Sequence, residues 1–107
     1  MTTSEAIGMK TKYNTSIQIY RNIHIRLIEY TPEHFARLKA KRFLLINPKI
    51  KDNPSQNIWI PNAYLQEDGT LKPYVNIDFV FRTAALQHKF KYAGITIPAW
   101  LHEQLNR

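Results

Sequence analysis

The chain has 107 residues, 44% of them hydrophobic and 12% aromatic, and contains no cysteine. That length suits one domain with a real core, and the missing cysteine excludes disulfides and any zinc or iron–sulfur centre built on thiolates. The formal net charge of +7 lies in residues 1–51, which hold ten Lys and Arg against three Asp and Glu, whereas residues 52–107 hold five of each.

Residues 1–12 are polar and aperiodic and read as a flexible lead to a single domain over 13–107. They lack the apolar stretch of about 7–15 residues of a secretory signal, and no run reaches the roughly 18 apolar residues of a membrane span, so the expected location is the cytoplasm. From Ile17 the pattern changes. Ile17, Ile19, Ile23, Ile25 and Leu27 take odd positions and Gln18, Asn22, His24 and Arg26 even ones, the two-residue period of a half-buried strand. This is one long strand or a hairpin bent near Arg21-Asn22, with the same residues expected inside.

Thr31-Pro32-Glu33 is a helix start: Thr caps an amide, Pro suits the first position, and Glu complements the positive end of the dipole. That helix would turn Phe35 and Leu38 inward and be ringed by Arg37, Lys39, Lys41 and Arg42. A buried strand follows at Phe43-Leu44-Leu45-Ile46, stopped by Asn47-Pro48, and 49–56 with Pro54 reads as an exposed loop carrying Lys49 and Lys51.

Ile58-Trp59-Ile60 is a short strand, and Pro61 opens a helical turn ending at the Asp68-Gly69 turn. Val75, Ile77, Phe79 and Phe81 alternate with polar residues, predicting a strand with Asp78 toward solvent. Phe90 and Tyr92 alternate with Lys89 and Lys91 in a partner strand, Ile95-Thr96-Ile97 continues the sheet, and an amphipathic helix over 98–106 presents Leu101 and Leu105. The fold class expected is α+β, a small, mainly antiparallel sheet of about four to six strands with two short helices.

His24, His34, His88 and His102 lie too far apart in sequence to form a metal-binding motif, and no phosphate loop or nucleophile elbow is present, so no metal, cofactor or catalytic residue is assigned. The basic constellation remains. Arg21, Arg26, Arg37, Lys39, Lys41, Arg42, Lys49 and Lys51 are the candidate phosphate contacts, because a one-signed patch concentrates polyanions at its surface. Trp59, Phe90, Tyr92 and Trp100 are the candidate base-stacking or interface aromatics, although alternation favours Phe90 and Tyr92 in the core. The expected function is a non-catalytic accessory or regulatory protein that binds DNA or RNA through its basic half. The neutral half would supply core, a sheet edge and a possible homodimer contact.

Two short passages resemble known families. Ile95-Thr96-Ile97-Pro98 resembles the strand-to-helix step of AbrB-type swapped-hairpin transcription factors. Ile28-Glu29-Tyr30-Thr31-Pro32-Glu33-His34-Phe35-Ala36-Arg37-Leu38 is similar to the strand-to-helix opening of RelE/ParE-like toxins, which implies a metal-free ribonuclease as one alternative. A small inhibitor or assembly factor of a phage or mobile element, which binds protein and no nucleic acid, is the other.

Overall fold

The structure, a computed structural model, describes residues 13–28, 38–50 and 56–107. The fold is α+β, with one four-stranded antiparallel sheet in the order β1-β2-β3-β4. Its strands are β1 (Gln18–Tyr20), β2 (Ile23–Leu27), β3 (Ala40–Ile46) and β4 (Gln56–Pro61). A 3-10 turn, Asn62–Tyr64, leads to three helices, α1 (Asp78–Leu86), α2 (Lys89–Ala93) and α3 (Ala99–Leu105). The helix predicted from Thr31, with Arg37, and the loop position of Lys51 lie outside the described residues.

The 17–27 segment is a hairpin. Its two-residue turn, Arg21-Asn22, has positive φ at both positions (46° and 74°), the backbone twist that suits a tight connection between right-twisted strands. Tyr20 therefore pairs with Ile23 and shares its face, so the side-chain parity reverses across the turn. Ile23, Ile25 and Leu27 are buried as predicted, whereas Ile17 and Ile19 are exposed, Ile19 to 61%. A two-residue turn sends odd residues before it and odd residues after it to opposite faces.

On the inner face, Tyr20, Ile23, Ile25, Leu27, Phe43, Leu45, Ile58 and Ile60 form one core with Phe81, Phe90 and Leu101 from the helices. The strands predicted over 75–82 and 89–92 are helices instead. A two-residue and a 3.6-residue period both account for Ile77 and Phe81, but the buried set also contains Val80 and Ala84, while Phe79 is partly exposed. Helix α1 begins where the Asn76 carboxamide oxygen accepts the Asp78 N–H at 3.0 Å. Helix α2 ends at Gly94 (φ 71°), whose left-handed conformation lets the Ile95 N–H reach the Phe90 carbonyl at 2.9 Å. Residues 95–97 are not a strand, so the sheet is not continued there and the AbrB-type step lacks its strand. Helix α3 follows Pro98, as predicted, and buries Leu101.

Candidate nucleic-acid interface

The helices cover one face of the sheet, and the alternating residues of every strand stand on the other. Pairing brings Arg42 of β3 opposite Trp59 of β4, sets Leu44 between Arg26 and Asn57, and lines up Ile19, His24 and Ile46. Arg26 is exposed and Trp59 is 50% exposed; His24, Arg42, Leu44 and Ile46 are half-buried. Lys39 precedes β3 and Lys49 follows it, so exposed ammonium groups stand near both ends of this strand. None of the four strands contains Asp or Glu. The described carboxylates lie elsewhere: Glu67 and Asp68 in the turn before Thr70, Asp78 behind the sheet and Glu103 on α3.

Lys39, Lys41 and Arg42 lie just before or within a strand, not on the helix predicted for them, because the apolar strand extends back to Ala40. The consequence falls on Lys41. Its position faces inward beside Phe43 and Leu45, it is 1% exposed, and its ammonium donates to the Leu38 carbonyl at 2.6 Å and to Asn62 Oδ1 at 2.7 Å. Burial pushes its pKa down. A side chain held this way braces the start of β3 against the 3-10 turn and offers no charge to a surface ligand.

Arg21 is also engaged. Its guanidinium meets Asp78 Oδ2 at 2.6 Å and lies 4.1 Å above the Trp100 ring, while the Trp100 indole donates to the Arg21 carbonyl at 2.8 Å. Trp100 is thus packed on this chain's own hairpin turn, with its ring edge-on to Tyr20 at 6.1 Å. Phe90 is buried, and Tyr92 stands 62% exposed on α2, away from the core side its predicted strand would have given it.

Asp78 is 4% exposed, not on a solvent face. It accepts from Tyr20 Oη at 2.6 Å, from Arg21 and from Gln104 Nε2 at 2.8 Å, and Tyr20 Oη accepts the Ile77 N–H at 2.9 Å. Burial pushes its carboxyl upward, but the three donors outweigh that and hold it below the usual carboxylate range. Burial, with the Asp78 bond, pushes the Tyr20 phenol up. The cluster joins the hairpin to α1 and α3.

Hollows lie among the described residues. One of about 430 Å³ lies between β4 and α1, lined by Trp59, Phe79, Thr83 and Lys89 among others. The second, about 260 Å³, lies at the opposite end beside His24, Ile46 and Lys49. Among the described residues no three His, Asp or Glu side chains gather as a metal site, and no helix is long and apolar enough to cross a membrane. The signal for this face was available in sequence as Arg26 and Trp59 at solvent-side strand positions, but Arg42 was expected on a helix, and strand pairing was needed to bring the three together. No family model, curated protein or solved structure matches this chain.

Proposed function

We propose that this protein binds nucleic acid through the outer face of its sheet, as a non-catalytic accessory or regulatory factor. The observation that supports this most is the composition of that face: Arg26, Lys39 and Lys49, all exposed, on or beside strands without a carboxylate, next to a half-exposed tryptophan. Cations so placed attract phosphates by Coulomb force and counterion release, and a flat sheet bearing an aromatic ring accommodates unstacked bases. Arg21 and Lys41 are not in the contact set, since both are committed to internal partners. The test is fluorescence-anisotropy binding to labelled single-stranded DNA, duplex DNA and RNA at two salt concentrations. The double substitution Arg26→Glu, Lys39→Glu, at exposed positions, is expected to weaken binding by about tenfold or more at low salt; unchanged affinity removes the face from the interaction.

A further inference from the structure

We infer that the groove between β4 and α1 receives one unpaired base of a single-stranded nucleic acid, an assignment that rests on phosphate binding by the adjoining sheet face. The groove is about 430 Å³. Its buried lining residues Ile58, Val80 and Ala84 form an apolar floor, and the partly exposed rings of Trp59 and Phe79 stand at its rim.

Backbone polarity narrows the occupant. The Ile28 N–H donates to the Arg42 carbonyl at 3.3 Å, so the polar groups of Arg42 point toward β2. Arg42 and Trp59 are therefore a non-hydrogen-bonded pair of the β3–β4 ladder, and the N–H and C=O of Trp59 point outward over the sheet edge. The same parity turns the Asn57 carbonyl outward, where Lys89 Nζ donates to it at 2.5 Å. Two residues beyond Trp59, Pro61 has no N–H to offer.

Lys89 and Pro61 thus close the edge on either side of Trp59. An added peptide strand would find one residue to pair with and no ladder, since Lys and Pro are the usual means of blunting an edge. What is left is one donor and one acceptor side by side, with an aromatic ring on the same residue. The pairing edge of each common nucleobase carries an adjacent donor and acceptor and is planar, so a base fits this arrangement without selection among the four. The exposed Lys39 adjoins Ala40 of the groove lining, where a chain leaving the groove would place a phosphate. Charge complementarity therefore favours a polyanion over a neutral heterocycle or an apolar peptide.

The experiment compares the full chain's affinity for a short oligothymidylate, for an abasic strand of the same length and backbone, and for a duplex, at one salt concentration. The base-bearing strand is expected to bind about tenfold or more tighter than the abasic strand. Trp59→Leu and Thr83→Trp, the second filling the groove from an exposed position on α1, should each abolish that difference. Equal affinity for the two strands in the native protein overturns the base site and leaves the phosphate-binding face standing. A base preference that survives both substitutions overturns the placement in this groove. Absence of binding to any strand overturns the face and the base site together.

Discussion

Asp78 joins distant parts of the chain through single side chains. Tyr20 and Arg21 come from the hairpin and Gln104 from α3, and all three donate to one buried carboxylate at the first turn of α1. Its negative charge is further favoured by the positive end of that helix. Because its pKa is depressed in the fold, its contribution to stability is present above the unfolded value of about 3.9 and is lost as pH falls through the folded value. Tyr20 acts in the opposite sense: its raised pKa gives stability that is complete below about pH 10 and lost as pH rises through the folded value. Asp78→Asn is expected to cost roughly 2–3 kcal/mol near neutral pH, as a charge-assisted set of hydrogen bonds is replaced by an amide with one misplaced donor. Urea midpoints measured at pH 7 and pH 3.5 should show the gap between Asp78→Asn and the native protein narrowing at the lower pH; a gap that does not change with pH would mean the carboxylate charge is not what holds the cluster.

At the scale of elements, the hairpin turn sets the inside and outside of the sheet's first strand. A non-glycine residue in the left-handed region costs about 1–2 kcal/mol unless its side chain tolerates it, and Asn does so better than any β-branched residue. Asn22→Val is therefore expected to lower stability by roughly 1–2 kcal/mol, whereas Asn22→Gly, which adopts φ 74° freely, should stay near the native value. Chemical denaturation of the two variants distinguishes a turn-specific cost from simple loss of the Asn side chain, which both share. The helical half was harder to read. Over 75–82 the apolar residues satisfy two periods at once, and the features that decide for helix are the buried Val80 and Ala84 and the Asn76 carboxamide that accepts the Asp78 N–H. For 89–94 the deciding residue is Gly94, which ends a helix in the left-handed conformation and which alternation alone ignores.

For the whole molecule, the charge asymmetry between the two halves of the chain becomes an asymmetry between the two faces of one sheet. Inward positions of β2 and β3 take apolar residues and the enclosed Lys41, and outward ones take His24, Arg26 and Arg42 together with the half-buried Ala40, Leu44 and Ile46. If Arg26, Lys39 and Lys49 each displace a counterion from a single strand, log K should fall against log salt with a slope of about −2. A titration between low and physiological salt checks this, and a slope near zero would make the basic face a solvated surface with no phosphate contacts.

Much of the sheet was legible in the sequence because its strands are local: a run of alternating residues states its own period, and Ile23, Ile25 and Leu27 are buried where alternation puts them, whereas of the strand expected to be buried throughout, Phe43 and Leu45 are buried and Leu44 and Ile46 only half-buried. The positive charge of the first half and the absence of thiol chemistry were equally plain. Three matters were decided only by tertiary structure. A two-residue turn reverses parity, which moved Ile19 out and Tyr20 in. An ambiguous period takes whichever form buries more against an existing sheet, which made α1 and α2 helical. A cation's role depends on what surrounds it: Arg21 and Lys41 differ little in sequence from Arg26 and Lys39, yet the fold turns the first pair toward Asp78, Leu38 and Asn62 and leaves the second pair in water. Periodicity specifies which residues are apolar together, while only packing against distant elements specifies which polar groups find partners.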